Sequence, residues 1–310
     1  MSIESAPRIL LGDVEAIRIV EYRGPFRPAA ELVPQAPAAL WREHADRLAP
    51  DHWDPATDMA VMALQTWVLR SGGRTVVVDT GVGDGRERPD APQFHRRQGR
   101  FLELLAEAGI RPEEVDTVVN THLHADHVGW NTRWEDGSWV PTFPNAEYLL
   151  HAADHTALGP DNDYGQGAST TARLLYEDSI APVRRAGQLV LWDGRHAIDR
   201  DLVLEPAPGH TPGSAVLRLT SGGERAVFVG DLVHSPVQIL EPAHNSCFCQ
   251  DPAAAAASRR RILERAADLR ELVFPAHLSG PGATEVRRHG SGFTLAPHTP
   301  FETTGGTGRP

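Results

Sequence analysis

The feature that most constrains this chain is a run of metal-binding side chains between residues 121 and 130. His122, His124, Asp126 and His127 fall within six residues in the pattern H-x-H-x-D-H. Imidazole nitrogen and carboxylate oxygen are the ligands that zinc and similar metals bind in proteins. A polar surface turn with histidines by chance is the alternative. Four such side chains so close together favour a metal site.

The segment directly before this run is apolar and rich in β-branched residues, so 115–120 is interpreted as a buried strand. The candidate ligands then lie where a strand ends and a loop begins. A strand fixes the position of the loop, and the loop lets neighbouring side chains converge on one point. The sequence therefore predicts a metal centre at one end of a β-sheet.

The H-x-H-x-D-H run resembles the signature of the metallo-β-lactamase-fold hydrolases. Members of that family carry a histidine in a G-H-T-P-G turn, an aspartate after a strand and a late histidine after another strand. This sequence has His210 in the turn 209–213, Asp231 after the apolar segment 226–230, and His277 shortly after 272–274. The resemblance covers residues from about 17 to 277. It implies an α/β fold, an αββα sandwich of two mixed β-sheets packed face to face with helices outside.

The resemblance also implies how seven ligands would divide between two metal ions. One ion would be held by three histidines, the other by an aspartate and two histidines, and a further aspartate would bridge them. In that order the residues are His122, His124 and His210; Asp126, His127 and His277; and Asp231. Seven ligands exceed the four of a tetrahedral zinc, so we expect two divalent ions, zinc in the first place. In that family an aspartate at the position of Asp79 supports a ligand histidine.

A water shared by two such ions, about 3.5–4 Å apart, would have its pKa lowered from about 15.7 to about 7. The resulting metal-bridging hydroxide would attack the substrate, so no serine or cysteine nucleophile is needed. Asp126 would orient the hydroxide and carry a proton to the leaving group. His234 is a candidate catalytic residue, as an oxyanion donor or substrate contact, and a surface loop histidine is the alternative.

The extended pattern T-H-L-H-x-D-H-V-G-W-N, G-H-T-P-G and G-D-L-V-H resembles most the branch of quorum-quenching N-acyl homoserine lactonases and organophosphate-hydrolysing relatives. We therefore expect an enzyme that hydrolyses a carboxylic ester, in the first place a lactone such as an N-acyl homoserine lactone. A phosphotriester or aryl-ester hydrolase is the alternative. More distant alternatives are an iron-dependent oxidoreductase and a non-catalytic metal-binding protein. Lactonases often carry a tyrosine near the bridging aspartate, but 231–234 has none, and His234 could substitute.

The amino-acid composition narrows the kinds of molecule that this chain is expected to bind. Lys and Arg number 30 against 41 Asp and Glu, a net charge of 30 − 41 = −11, which argues against nucleic acid and favours a small-molecule substrate. The basic run 259–261 is interpreted as a solvated helix face.

Cys247 and Cys249 are too close for a disulfide and are interpreted as small, part-buried thiols, with metal binding or redox chemistry as the alternative. No secretion signal and no apolar run of ~20 residues is evident, so we expect a cytoplasmic protein without membrane contact. A homodimer is left open.

We expect one domain over 1–310, with a proline-rich extension at about 24–60 and a flexible tail from about 300. The loop 83–92 is expected to be charged and flexible, and Trp41 and Trp53 to be either core or pocket lining. Predicted strands are 14–22, 62–69, 74–79, 115–120, 146–151, 188–192, 201–205, 214–219, 226–230 and, as the last one, 271–274. Predicted helices are 38–48, 94–108, 169–178 and 253–269.

Overall fold

Two mixed β-sheets pack face to face, and helices cover the outer face of each sheet. A computed structural model describes residues 6–159, 170–290 and 292–296 of the chain. This arrangement confirms the αββα sandwich expected from the sequence. The tail from about 300 lies outside the described residues, as does the start of the helix predicted at 169–178. Among the described residues, no helix combines the length and apolar character needed to cross a bilayer.

The first sheet is built from the N-terminal half of the chain. Its strands are β1 (Arg8–Leu11), β2 (Val14–Pro28), β3 (Trp53–Asp54), β4 (Met59–Ser71), β5 (Arg74–Val78), β6 (Thr117–Val119), β9 (Glu147–His151) and β10 (Leu189–Trp192). The spatial order is β1-β2-β4-β5-β6-β9-β10, with β3 beside β4. The first strands are antiparallel, whereas β5, β6, β9 and β10 run parallel to one another.

The second sheet follows in chain order. Its strands are β11 (His196–Ala197), β12 (Leu202–Pro206), β13 (Ala215–Ser221), β14 (Glu224–Gly230), β15 (Leu272–Pro275), β16 (Thr284–His289) and β17 (Gly292–Ala296). All its pairs are antiparallel except β14 with β15, which is parallel. A separate hairpin consists of β7 (Thr132–Glu135) and β8 (Ser138–Pro141).

Short helices fill the connections, and one long helix covers the second sheet. They are α1 (Ala29–Leu32), α2 (Ala38–Glu43), α3 (Ala45–Leu48), α4 (Phe101–Glu107), α5 (Ala152–Leu158), α6 (Thr170–Leu175), α7 (Ala181–Arg185), α8 (Val237–Leu240) and α9 (Pro252–Leu269). A π-helical turn, Tyr176–Ile180, joins α6 to α7, and 3-10 turns lie at Pro112–Glu114 and Gly129–Asn131. The long helix begins as its sequence predicts, because Asp251 Oδ1 accepts a hydrogen bond from the Ala254 amide and Pro252 follows the cap.

Alternate residues of the central strands serve two different cores. On β4, Trp67 faces the second sheet, where its ring meets Phe274 at 4.8 Å between centroids. Its neighbour Val68 points the other way and packs with Phe101 of α4. In the second sheet Val227 likewise packs outward against α9. Because both faces of these strands are buried, they are apolar without alternation, which is what the sequence shows.

The proline-rich extension differs from expectation in two places. β2 continues to Pro28 instead of ending near Tyr22. Pro25 has no N–H to donate, but β1 pairs only with the first four residues of β2, so no hydrogen bond to β1 is lost at Pro25. The single helix predicted at 38–48 is two short helices that break at His44. Trp41 and Trp53 are buried core residues, 6.2 Å apart between ring centroids.

Two further boundaries were predicted wrongly. The helix predicted at 94–108 begins only at Phe101, and the residues before it form turns. The strand at Leu272–Pro275 is not the last one, since β16 and β17 form a hairpin after it. Charged residues on the exposed face of β16 and the frequent glycines around it hid the alternation that marks this hairpin.

The basic residues were also misinterpreted. In the run 259–261, Arg260 and Arg261 are exposed on α9 as expected, but Arg259 is completely buried and donates to the carbonyls of Leu232 and Pro242. Arg86 and Arg88, in the loop predicted to be charged and flexible, have no exposed surface. A guanidinium can be buried when carbonyls and carboxylates satisfy its donors, and sequence spacing alone does not reveal such partners.

Candidate metal centre

The predicted ligands lie at one end of the sandwich because the strands that carry them end there together. Asp79 follows β5 and the H-x-H-x-D-H loop follows β6, and these two strands are parallel neighbours. Asp231 follows β14 and His277 closely follows β15, which form the parallel pair of the second sheet. The ends of parallel neighbours meet at one edge, so all these loops converge.

Three histidines and one aspartate form a first group, composed of His122, His124, His210 and Asp231, whose ligand atoms all lie within 4.8 Å of one another. His210 Nε2 lies 3.1 Å from His122 Nε2 and 2.9 Å from His124 Nδ1. Asp231 Oδ2 lies 3.2 Å from His210 Nε2. Three imidazole nitrogens therefore point at one place beside a carboxylate.

A second group of Asp126, His127 and His277 adjoins the first, again with its ligand atoms within 4.8 Å. The other oxygen of Asp231, Oδ1, lies 3.2 Å from His127 Nε2 and 3.0 Å from His277 Nε2. Asp126 Oδ2 lies 3.5 Å from His277 Nε2. Asp231 thus presents one oxygen to each group, which is the position that a bridging carboxylate would need.

Hydrogen bonds fix which nitrogen of each ring faces the centre. His127 Nδ1 lies 2.8 Å from Asp79 Oδ2, and His277 Nδ1 lies 2.9 Å from the Ala63 carbonyl oxygen. A carbonyl can only accept, so His277 Nδ1 donates, and in the neutral ring the lone pair lies on Nε2. Asp79 also accepts from the amide and hydroxyl of Thr121, so it fixes both the ring and the start of the loop. Such outer contacts orient metal ligands in proteins.

The electrostatics suit a cation. Burial, together with the neighbouring histidines, holds the pKa of His122 and of His124 well below the usual range, so both rings are neutral. Burial also disfavours charge on His127, but Asp231 and Asp79 outweigh it and raise its pKa well above the usual range. Burial opposes the ionisation of Asp231, yet the surrounding histidines lower its pKa well below the usual range. Metal ligands bind as neutral imidazoles and ionised carboxylates, so a metal ion would displace the protons that Asp231 favours on His127, His210 and His277, whose pKa values are all raised.

Two buried polar atoms of the cluster also indicate a metal ion. His127 Nε2 and Asp231 Oδ1 are buried and, within the described part of the chain, make no well-aligned hydrogen bond. Buried polar atoms without a partner cost free energy, so they call for a partner that the side chains do not supply. Nitrogen and oxygen donors in this number fit zinc-like divalent ions in both groups.

A cavity of about 450 Å³ opens onto the cluster. Its floor contains His124, Asp126, Asp231, His234 and His277. Its walls are mainly apolar: Phe26, Met62, Phe94, Leu123, Leu158, Leu175 and Phe248. The proline-rich extension contributes Phe26 and Arg27, although neither of its tryptophans reaches the cavity.

His234 lies at the floor of this cavity and is 3 % exposed, so it is not a surface loop residue. Its Nε2 is 3.1 Å from Asp231 Oδ2, and its ring packs between Phe248 and His277 at 5.6 Å between centroids in each case. Burial lowers the pKa of His234 to about 4, against the pull of Asp231, so the ring is neutral at pH 7. A neutral imidazole keeps one N–H to donate and one nitrogen to accept.

Comparison with known proteins agrees with this geometry. The sequence profile of the metallo-beta-lactamase superfamily matches residues 63–277, from the strand β4 to the last predicted ligand. The chain belongs to the metallo-beta-lactamase superfamily. The signature read from H-x-H-x-D-H is therefore confirmed at the level of the family, which contains metal-dependent hydrolases.

Relatives within this superfamily have diverse activities. The chain is 28 % identical over 184 residues to a ribonuclease of Thermus thermophilus, which covers 56 % of this chain and 36 % of that protein. It is 28 % identical over 152 residues to a hydroxyacylglutathione hydrolase of Anaeromyxobacter dehalogenans, covering 49 % and 40 %. The chain thus spans well under two thirds of the length of these relatives.

Solved structures match over nearly the whole chain. AidC, described as a dizinc quorum-quenching lactonase in complex with the product N-hexanoyl-L-homoserine, superposes with a TM-score of 0.77 at 22 % identity. The hydrolase AbOPH of the beta-lactamase superfamily also gives 0.77, at 21 % identity. Both alignments cover 96 % of this chain and 99 % of the other. At these identities the likeness shows a shared fold.

Sequence reasoning missed several residues near the centre. Asp154, at the start of α5, is completely buried and contacts two of the ligand loops. His151 caps that helix by accepting a hydrogen bond from the Ala153 amide. Cys249 is half-buried and interacts with His210, whereas Cys247 is exposed, contrary to expectation. An aspartate three residues into a helix has no sequence signal that distinguishes it from an ordinary first-turn carboxylate.

Proposed function

We propose that this chain is a dinuclear metal hydrolase that opens a lactone such as an N-acyl homoserine lactone. The observation that carries the proposal is the convergence of two His/Asp groups on Asp231 at the floor of a cavity with apolar walls. AidC, a dizinc quorum-quenching lactonase, gives a precedent for this substrate on the same fold. The family membership supports hydrolysis, and the substrate is the new element of the proposal.

The first group, with Asp231 shared, would hold one ion, and Asp126, His127 and His277 the other. Two bound divalent ions, which we expect to be zinc, would supply a water of lowered pKa and a Lewis acid for the ester carbonyl. The outer contacts of His127 and His277 fix their rings before a metal arrives. We therefore expect little rearrangement of these side chains on metal binding.

Asp126 is the proton carrier in this proposal. Its carboxylate faces His127 and His277 on one side and the cavity on the other. Water attacks the lactone carbonyl carbon, and the bond from that carbon to the ring oxygen breaks. The proton lost by the water passes through Asp126 to the departing ring oxygen, so the product is a hydroxy acid. No other nucleophile is required.

His234 is positioned to donate a hydrogen bond to the substrate. It lies at the cavity floor beside Asp231, where the lactonase branch often has a tyrosine. Because its ring is neutral, a donated N–H would stabilise a developing oxyanion without placing a second positive charge beside the metal ions. The walls formed by Phe26, Phe94 and Phe248 would bury an acyl chain and exclude water from the reacting centre.

The test is proton release in weak buffer by zinc-loaded protein with homoserine lactones of graded acyl length. Ring opening liberates an acid, so each turnover is recorded without a chromophore. We expect rapid release with the native chain and its loss in Asp126→Asn, whose zinc content is measured in parallel. Asp136→Asn is the control, because Asp136 is an exposed turn residue with φ 48°, a conformation that asparagine adopts readily.

A fully zinc-loaded protein that releases no proton from any lactone would contradict the lactone proposal. The second candidate is then an aryl ester or phosphotriester, which the aromatic rings of the cavity wall favour, since they would stack on an aryl leaving group. Stoichiometric iron with oxygen consumption would instead contradict hydrolysis altogether. RNA is included because of the Thermus relative, and with a net charge of −11 we expect no cleavage.

A further inference from the structure

A buried carboxylate outside both His/Asp groups ties together the loops that carry the first group. Asp154 lies in the first turn of α5 and has no exposed surface. It does not line the cavity, so it touches neither substrate nor reacting atoms. The proposed reaction does not use Asp154. Burying a charge costs free energy unless hydrogen bonds or an opposite charge offset that cost, so the partners of this carboxylate matter.

Its hydrogen bonds go to both ligand loops. Asp154 Oδ2 accepts from the Leu123 amide at 2.9 Å and from the Thr211 hydroxyl at 2.9 Å. Leu123 lies between His122 and His124, and Thr211 follows His210 directly. One carboxylate oxygen therefore joins the residues adjacent to all three histidines of the first group.

The second oxygen strengthens the same connection. Asp154 Oδ1 accepts from the Gly213 amide at 2.5 Å, in the turn that follows His210. A Cβ on residue 213 would lie 2.5 Å from the Asp154 nitrogen and 2.7 Å from Oδ1, so only glycine allows this approach. The second group has different supports, Asp79 for His127 and the Ala63 carbonyl for His277.

We propose that Asp154 is a positioning residue that holds His122, His124 and His210 as one set and thereby determines metal affinity at the first group selectively. The inference rests on the proposed metal centre. Charge-assisted hydrogen bonds to backbone amides are short and strong, so the carboxylate fixes the distance between the two ligand loops. Loss of an outer partner of this kind typically weakens metal binding about 10–100-fold.

The experiment titrates metal-free full-length protein with zinc against a competing chromophoric chelator. Asp154→Asn keeps the shape but removes the charge and one acceptor. We expect one zinc site to weaken by about 10–100-fold while the other changes by less than about threefold. In a His277→Ala background the loss should persist, because the first group is intact there. In a His210→Ala background it should disappear.

The matched control is Asp199→Asn. Asp199 also accepts two backbone N–H bonds and one hydroxyl bond, from Asp201, Leu202 and Ser71, each at 2.8 Å, but it lies in a turn outside the cavity and both groups. Both variants lose the same kind of hydrogen bonds, but Asp154 is fully buried and Asp199 only part-buried, so the unfolding free energy of each variant is measured without metal beside the titration. We expect the zinc titration of Asp199→Asn to match that of the native chain.

Thr211→Val is the second variant, in case Asp154→Asn does not fold. It removes one of the three bonds to Asp154, together with the hydroxyl contact between Thr211 and Ser214, and leaves the charge, so we expect a smaller loss at the same site. Unchanged affinity at both sites in folded Asp154→Asn, or an equal loss in Asp199→Asn, would overturn the inference while leaving the hydrolase proposal intact. A native chain that binds no zinc would instead remove the proposed metal centre itself.

Discussion

Asp178 neutralises two fully buried guanidinium groups, and its replacement by asparagine should strongly destabilise the fold. Arg88 binds it in a bidentate manner, with Nη1–Oδ2 at 2.7 Å and Nη2–Oδ1 at 2.9 Å. Arg86 Nη1 lies 3.2 Å from Oδ1 and the same guanidinium donates to the carbonyls of Gly129 and Thr132. The two arginines have no exposed surface.

The magnitude follows from what each substitution leaves behind. Removing one partner of a buried ion pair costs about 3–5 kcal/mol because the other charge stays buried without compensation. Asp178→Asn leaves two such cations, so we expect the upper end, about 5 kcal/mol. Arg88→Met leaves Asp178 paired with Arg86, so we expect about 3 kcal/mol. Against a total stability of roughly 5–15 kcal/mol, either loss is large.

Urea unfolding of zinc-loaded protein measures both losses. The control is Asp268→Asn, whose carboxylate makes a bidentate contact with Arg288 Nε and Nη2, at 2.6 and 2.8 Å, on the exposed surface. Water solvates that pair in both states, so its loss should change stability far less. Equal shifts for Asp178→Asn and Asp268→Asn would refute the reasoning, because burial would then contribute nothing.

Three further predictions concern pH, substrate and metal. Burial raises the pKa of Glu21 to about 7, so the folded state retains a proton that the unfolded state loses above about pH 4.5. Native stability should therefore fall as pH rises between these values, and urea titrations of Glu21→Gln should show a flatter dependence. Each methylene of an acyl chain buried against Phe94 is worth about 0.8 kcal/mol, or roughly fourfold in kcat/KM. Phe94→Ala should flatten that chain-length dependence, and an unchanged slope would place the chain elsewhere. Chelation of zinc should lower Tm, and excess zinc at about 100 times Kd should restore about 2.7 kcal/mol.

The local part of the centre was predictable because it needs little tertiary information. Four of the seven candidate ligands follow one strand, and the apolar run before them marks that strand. The other three became visible only through the family resemblance, since His210 and His277 are separated from the first run by long stretches of chain. The structure brings all seven together. Their roles as ligands remain a proposal.

Several buried contacts that stabilise the fold could not be read from the sequence. Arg86, Arg88 and Asp178 look like solvated charges, because spacing along the chain does not show that a loop and a π-helical turn meet. The hairpin β16–β17 was missed for the opposite reason, since its alternation is diluted by exposed charges and glycine. For the buried arginines the deciding contact joins residues 90 apart in sequence, whereas the hairpin is a local structure with a weak sequence pattern.

Stability and metal affinity are assigned to different buried carboxylates in this structure. Asp178 binds two arginines and contacts neither His/Asp group, so its loss should lower the free energy of unfolding with little change in zinc affinity. Asp154 joins two ligand loops. Its loss should therefore change the free energy of zinc binding at the first group more than the free energy of unfolding of the metal-free protein. When both variants are measured in both assays, we expect Asp178→Asn to lose mainly unfolding free energy and Asp154→Asn to lose mainly zinc affinity. A preformed metal site depends on its local hydrogen bonds as well as on the global fold.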